Sequence, residues 1–191
     1  MPETETKPKK RSKLMIAMIA IVALIGILLI AASRQPDEYS VSRSATMAAP
    51  ASAIFTHVNT IKKWEAWNPW GKLDPNMKLT YDGPSAGVGA SYSWEGNNQV
   101  GSGKMTVTES KPDEAVRFRL DMYKPMAGTS DAAFTFKPEG DKTTVTWSMS
   151  GKCNLMSKVM GLFMSMDKMI GDQFEKGLAD LKTIVETEAK K

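Results

Sequence analysis

The sequence predicts an α+β fold in which a curved antiparallel β-sheet wraps around a long C-terminal helix, preceded by one N-terminal transmembrane helix. Three observations predict it: nineteen consecutive uncharged residues near the N-terminus, period-two alternation in the middle of the chain, and helical apolar spacing at the end. The 191 residues therefore divide into a basic tail (1–13), a transmembrane helix (14–32), a linker (33–38) and one folded domain (39–191).

The uncharged stretch 14–32 is long enough to cross a membrane, because nineteen helical residues extend about 28 Å. The alternative is a cleaved secretory signal, since basic residues precede the stretch and small residues follow it. Its length exceeds the roughly 7 to 15 apolar residues of a signal, which favours a retained single-pass anchor. More basic residues precede than follow it, so the positive-inside rule places the N-terminus in the cytoplasm and the domain on the periplasmic or extracytoplasmic side of the cell (inner) membrane.

Charge and cysteine content exclude several classes of protein. Residues 1–13 carry most of the formal net charge of +4, so the rest of the chain is almost neutral. A basic balance confined to a tail does not indicate a nucleic-acid partner. The single cysteine, Cys153, cannot form an intramolecular disulfide, and no motif for a metal or another cofactor is present. We therefore expect no cofactor, no metal and no nucleic acid.

The elements of the domain follow in chain order. Weak alternation in 39–47 predicts a first strand, Pro50 opens a short helix, and a second short helical turn covers 60–66. Six further strands are expected between turns, at 77–81, 87–95, 100–109, 115–124, 130–137 and 143–150. Because these turns are too short for crossover helices, the strands should be antiparallel.

A single helix is predicted from Asn154 to about Glu188, with an apolar face that spans roughly half of its circumference. The face is formed by Leu155, Val159, Leu162, Phe163, Met166, Ile170, Phe174, Leu178, Leu181, Ile184 and Val185. A face this wide needs a concave partner. The strands supply one, because their apolar residues alternate with polar ones and should share one side of a curved sheet.

Four segments carry a resemblance to a known family. They are WEAWNPW at 64–70, LDPNM at 73–77, GVGASY at 87–92, and MDKMIG at 166–171 with Phe174 and Glu175. Together with the order of elements, they make the chain from about Tyr39 onward similar to the helix-grip superfamily of polyketide cyclases, lipid-transfer START domains and birch-pollen allergens. It resembles most the bacterial SRPBCC group of polyketide cyclase and lipid transport proteins. The resemblance implies a helix-grip fold that binds, transfers or cyclises hydrophobic compounds.

Catalytic motifs are sparse. Gly101 to Lys104 resembles part of a phosphate loop, but Met105 stands where Ser or Thr is needed. The Gly87-Val88-Gly89 stretch lacks a third glycine and leads into a strand, which excludes a dinucleotide site. The single histidine, His57, is either a structural residue or a general base.

The candidate ligand site lies between the sheet and the C-terminal helix. Its predicted lining is Trp67, Trp70, Trp94, Phe118, Met122, Phe134, Trp147, Met160, Phe163 and Asp167. Within the tryptophan-rich loop, Trp64, Trp67 and Trp70 either form a lid over the cavity mouth or fill the open end of the sheet as core. The helix methionines, Met160 among them, either adapt to a ligand or fill the core.

Two residues of the long helix interrupt its apolar face. Asp167 needs a partner such as a Trp N–H, an Arg or a Lys. It is either a polar anchor at the cavity, or an edge residue that is paired locally or displaced by a helix bend near Gly161. Gly177 either admits close packing against the sheet or leaves cavity space.

The sequence thus predicts a membrane-anchored, non-enzymatic domain that binds a hydrophobic small molecule or a lipid. Two alternatives stay open. One is a polyketide cyclase-like or hydrolase-like enzyme that uses Asp167, His57 or Tyr92 as acid and base. The other is a protein-interaction module that uses the exposed sheet face or the tryptophan-rich loop. No sequence feature names a protein partner.

Overall fold

The computed structural model describes residues 10–190, and side chains from Lys13 onward; most of the predicted basic tail therefore lies outside the described residues. In chain order the elements are α1 (Lys10–Ser33), β1 (Glu38–Met47), α2 (Ala51–Asn59), two 3₁₀ helices (Ile61–Ala66 and Pro69–Lys72), β2 (Lys78–Asp82), β3 (Ser91–Glu95), β4 (Ser102–Lys111), β5 (Ala115–Lys124), β6 (Gly128–Glu139), β7 (Lys142–Lys152), α3 (Leu155–Gly161) and α4 (Met166–Glu188).

These elements divide into two compact units. The N-terminal unit holds the described residues up to Pro36 together with Cys153–Met164, and the sheet unit holds Asp37–Lys152 with the chain from Ser165 onward. The N-terminal unit contains α1, whose segment Lys13–Ser33 is apolar and long enough to cross a membrane, with its side chains exposed over most of that length. The region predicted as one domain, 39–191, supplies the sheet unit and also part of the N-terminal unit.

The sheet unit is built on a seven-stranded antiparallel sheet in the order β1-β7-β6-β5-β4-β3-β2. The first strand pairs with the last, with Val41 opposite Met149. Strands β1 and β2 are therefore the two edges although they follow each other in sequence, and α2 and the 3₁₀ helices connect them. The predicted α+β helix-grip fold is confirmed.

Alternation decides which face of the sheet is buried. On β5, Val116 and Phe118 are buried whereas Arg117 and Arg119 are exposed, as period-two patterning requires. The concave face receives α4, whose buried residues are Ile170, Gly171, Phe174, Gly177, Leu178, Leu181 and Val185. Strand β3 begins at Ser91, later than predicted, because Gly87 and Gly89 adopt positive φ angles of 79° and 87° in the preceding turn.

The prediction of one continuous helix from Asn154 to Glu188 is wrong. Helix α3 ends at Gly161, and α4 begins at Met166 after Ser165, whose side chain accepts a hydrogen bond from the Lys168 N–H at 3.2 Å. Glycine is common where helices end, and serine is a strong N-terminal cap, so the local sequence favours a stop followed by a restart. The break places 153–164 in the N-terminal unit.

Candidate ligand pocket

The space between the sheet and α4, where the sequence predicts the ligand, is filled by aromatic rings. Trp147 of β7 stacks between Phe174 of α4 and Phe134 of β6, with ring centroids 4.1 Å and 4.7 Å away. Trp64 and Trp67 pack edge-on against Phe134 and Trp147 at 5.6 to 5.9 Å. We call these five rings, with Phe118, the aromatic core. Such stacked and edge-to-face contacts are typical of a packed protein interior.

The aromatic core bears on the alternatives for the tryptophan-rich loop. Trp64 and Trp67 are buried, and the Trp64 indole N–H donates to the Val58 carbonyl at 2.8 Å. Trp70 is partly buried and packs edge-on against Trp147 and Phe174. These contacts favour a core role for the loop over a movable lid.

Gly177 of α4 lies against Trp147 of the aromatic core and against Pro69. A Cβ atom at this position would lie 2.9 Å from Cζ3 of Trp147 and 3.0 Å from Cδ of Pro69. Both atoms belong to rigid rings that cannot swing away. Of the two alternatives for Gly177, the structure therefore supports close packing rather than cavity space.

Asp167 lies in the first turn of α4, at a point where edge strand β1 presents a cation. Its carboxylate accepts hydrogen bonds from Nη1 and Nη2 of Arg43 at 3.0 Å and 2.9 Å, and Arg43 Nε donates to Glu175 at 2.8 Å. The guanidinium passes over Gly171, where a Cβ would collide with it. The Asp167 side chain is 61% exposed. The expected arginine partner is present, and the contacts favour the local-pairing alternative.

Hydrogen bonding to Arg43 holds the pKa of Asp167 below its ordinary value. A carboxyl group with a lowered folded-state pKa stabilises the fold above its unfolded pKa and loses that effect as the pH falls through the folded pKa. We expect Arg43→Gln to raise the Asp167 pKa towards that of a free carboxyl. The stability difference between wild type and variant should then be present at neutral pH and shrink below about pH 4.

Carbon-13 NMR of the aspartate carboxyls, with thermal unfolding at several pH values, measures both effects. Arg119→Gln is the matched control, because Arg119 pairs with Asp121 on the exposed face of β5. It should leave the Asp167 titration unchanged. An Asp167 pKa that is the same in wild type and R43Q would contradict the assignment.

A pocket of about 320 Å³ opens beside the aromatic core, between the 3₁₀ helices and the sheet edge formed by β2 and β3. Its lining is Ile61, Trp64, Glu65, Asn68, Gly71, Lys72, Asp74, Pro75, Met77, Leu79, Tyr81 and Tyr92. A second pocket of about 250 Å³ shares Ile61 and Tyr81 with the first. The first pocket thus combines apolar and aromatic walls with several polar groups, so it is more polar than most ligand sites.

Strand register places the pocket walls. Leu79 and Tyr81 alternate with exposed residues on β2 and pair with Trp94 and Tyr92 of β3. Opposite them, the loop after the second 3₁₀ helix is held by the buried carboxylate of Asp74, which accepts backbone hydrogen bonds from Asn76 at 3.0 Å and Asn97 at 2.7 Å. The opening of the pocket therefore lies between the short edge strand β2 and the loop that Asp74 holds by hydrogen bonds.

Two tyrosine hydroxyls give the pocket its polar character. Tyr81 donates to Glu65 at 2.6 Å, whereas the Tyr92 hydroxyl accepts a hydrogen bond from the Asn68 side chain. Burial raises the pKa of both phenols, and for Tyr81 the Glu65 carboxylate raises the pKa further. Both phenols are therefore protonated at neutral pH and do not act as bases. The O–H of Tyr81 is directed at Glu65, so Tyr92 is the phenol whose O–H can be donated to a ligand.

The predicted site residues are distributed over several places. Trp67, Phe118, Phe134 and Trp147 belong to the aromatic core. The other six lie outside it. Trp70 and Met122 are partly buried against the hydrophobic core, and Trp94 is buried on β3. Asp167 forms an ion pair with Arg43, and Met160 and Phe163 belong to the N-terminal unit. The 320 Å³ pocket is lined by other residues, and a ligand-binding role for the predicted ten stays a prediction.

One further candidate residue can be placed. His57 is buried on α2, and its Nε2 lies 2.8 Å from Oε2 of Glu188, which favours the structural alternative. Among residues 10–190, no three side chains of the His, Cys, Asp or Glu type are grouped as metal ligands. Sequence reasoning missed Leu79 and Tyr81, although the alternation of β2 marks both as facing the interior.

Comparison with known proteins places the chain in a family. A family model described as "Polyketide cyclase / dehydrase and lipid transport" matches residues 38–186. The chain belongs to this family. The match takes in nearly all of the sheet unit, and it confirms the resemblance seen in the sequence. Since polyketides and lipids are largely apolar, membership supports a domain of the hydrophobic-ligand-binding class.

Solved structures share the fold at low identity. A protein from Nitrosospira multiformis is 18% identical over 80% of this chain and 100% of its own, with a TM-score of 0.57. The Aha1 dimer from Colwellia psychrerythraea is 16% identical over 78% and 96%, with a TM-score of 0.56. Major latex-like protein 151 from Panax ginseng is 12% identical over 78% and 99%, with a TM-score of 0.55. Comparison with curated proteins found no significant match.

Proposed function

We propose that this protein is a membrane-anchored domain that binds a small hydrophobic molecule or lipid-derived compound in the 320 Å³ pocket at the β2–β3 edge. The observation that carries the proposal is the composition of this pocket, in which Leu79, Met77 and Trp64 form apolar walls beside the hydroxyl groups of Tyr81 and Tyr92. We place the ligand here rather than under α4, because the aromatic core occupies the space under the helix.

The pocket size limits the ligand. Ligand sites span roughly 300 to 1,000 Å³, so about 320 Å³ is at the small end of that range. A ring compound or a short acyl chain with one polar end suits this volume better than a whole diacyl lipid. The polar end would accept a hydrogen bond from the Tyr92 hydroxyl or pair with Lys72, which also contacts Asp180 at 2.6 Å.

The anchor in this proposal is α1. Few residues separate the end of α1 at Ser33 from the start of β1 at Glu38, so the chain enters the sheet unit immediately after the membrane. The excess of basic residues before the span supports a cytoplasmic N-terminus and a sheet unit on the opposite side of the membrane.

The enzyme alternative has one supporting observation, the 2.6 Å contact between Tyr81 and Glu65 in the same pocket. We favour binding without catalysis, because the raised pKa of each tyrosine keeps it from acting as a base at neutral pH and Glu65 is exposed.

The test uses the full chain in lipid nanodiscs. Native mass spectrometry and organic extraction should show a co-purifying apolar compound, or 8-anilinonaphthalene-1-sulfonate should bind saturably and be displaced by decanoic acid. Empty nanodiscs are the control. Probe binding no greater than to empty nanodiscs, together with an extract free of bound compound, would contradict the proposal.

A further inference from the structure

Residues 155–164 expose an unusual amount of apolar surface. Five large apolar side chains of this ten-residue segment are exposed, from 38% at Met160 to 72% at Phe163; the others are Leu155, Met156 and Met164. Contiguous apolar exposure of this kind marks a contact surface or a membrane-facing surface. The packing of α3 alone therefore does not account for the segment.

The position of the segment in the fold favours contact with a membrane rather than with another protein. Helix α3 packs against α1 within the N-terminal unit. In α1, the residues with reduced exposure include Leu28, Ala31 and Ala32, which share one helical face near the C-terminal end of the helix. If α1 spans the bilayer, as we propose, α3 lies beside the point where the span emerges, at the level of the lipid headgroups.

The composition of residues 155–164 suits a position at the level of the lipid headgroups. Between Cys153 and Met164 the only charged residue is Lys158, and acidic residues are absent. An apolar helix with a basic residue is favoured at the surface of an anionic bilayer. The cap of α3 is also complete, because Asn154 Oδ1 accepts from the Ser157 N–H at 2.8 Å and Ser157 Oγ accepts from the Asn154 N–H at 3.2 Å. Backbone groups satisfied in this way are cheaper to bring out of water.

We propose that residues 155–164 are a second membrane contact, lying in the lipid interface beside α1 with Met156 and Phe163 in the acyl region. The proposal rests on the proposed anchorage through α1. The chain passes between the two units three times, after Pro36, after Lys152 and after Met164. A second contact would therefore tether the sheet unit to the bilayer through three chain crossings rather than through a single linker.

Fluorescence quenching of single labels tests the proposal on the full chain. In a Cys153→Ser background, Phe163→Cys and Met156→Cys are labelled with a nitrobenzoxadiazole group and reconstituted in phosphatidylcholine–phosphatidylglycerol vesicles. Nitroxide lipids should quench these labels several-fold more strongly than aqueous iodide does. Asp141→Cys is the control, because Asp141 lies in the turn before β7, about 36 Å along the chain from Lys152 at the other end of the strand. Iodide should quench the label at position 141 more strongly than nitroxide lipids do.

A fourth label, Ile21→Cys in the middle of α1, separates the two proposals. If nitroxide lipids quench the label at 21 but iodide quenches those at 156 and 163, anchorage holds and the second contact is overturned. If the label at 21 also responds to iodide and not to nitroxide lipids, both proposals are overturned. Lipid quenching at 21, 156 and 163 together supports both.

Discussion

Replacing Trp147 by alanine should lower the free energy of unfolding by about 3 to 5 kcal/mol, the range found when large aromatic core residues are truncated. The ring is almost fully buried and stacks on both sides, against Phe134 and Phe174. It also lies against Gly177, so its removal leaves a space that α4 can fill only by shifting. A loss of this size is a large part of the roughly 5 to 15 kcal/mol that stabilises a typical domain.

Urea titration in detergent micelles, followed by far-ultraviolet circular dichroism of the sheet, measures the change. The matched control is Tyr123→Ala, because Tyr123 is an exposed aromatic residue on β5 and its loss should change stability by less than about 0.5 kcal/mol. If W147A were no more destabilising than Y123A, the rings under α4 would not form a packed core. The space there would then again be the better candidate for the ligand.

The sequence was sufficient for most of the fold because its local patterns agree with one another. Period-two alternation gave the bounds of β5, 115–124, as the structure has them, and the short turns were enough to require antiparallel pairing. The wide apolar face of the last helix required a concave partner, and α4 does lie in the curve of the sheet.

The break before Met166 shows where periodicity is insufficient. Apolar residues continue at helical spacing through Leu162 and Phe163, so a helical wheel joins α3 to α4. The decisive signals are Gly161, where α3 ends, and the cap Ser165, which competes with continuation of the helix by supplying a side-chain partner for a free backbone N–H group. A wheel also cannot distinguish an apolar face that packs on a sheet from one that faces lipid.

The candidate site was harder to predict for a different reason. Alternation shows which face of a strand is buried, and it marks Phe118 on β5 and Leu79 on β2 in the same way. Whether a buried side chain meets another ring or an open space depends on how distant segments pack. The pocket exists because β2 is a five-residue edge strand beside 3₁₀ helices, whereas Phe118 meets Trp64 at 5.2 Å.

Filling the pocket should abolish most of the proposed binding. Leu79→Trp replaces a branched alkyl side chain by an indole ring, which lies among Ile61, Met77 and Tyr92 in the volume that a ligand needs. Tryptophan is well tolerated in strands, and the pocket has room for the ring, so the fold should survive the change. We expect the affinity for 8-anilinonaphthalene-1-sulfonate to fall at least about tenfold, which corresponds to roughly 1.4 kcal/mol of binding free energy.

The neighbouring residue supplies the matched control. Thr80 is exposed on the same strand, and because successive side chains of a strand point to opposite faces, Thr80→Trp adds the same ring outside the pocket. Titration of the two variants in nanodiscs with 8-anilinonaphthalene-1-sulfonate should therefore show weak probe binding for L79W and unchanged probe binding for T80W. The two variants should have equal thermal stability. Equal affinity in both variants would show that the probe binds elsewhere. If both lost affinity together, the cause would be damage to edge strand β2 rather than occupation of the pocket, so only the difference between the two variants reports on the site.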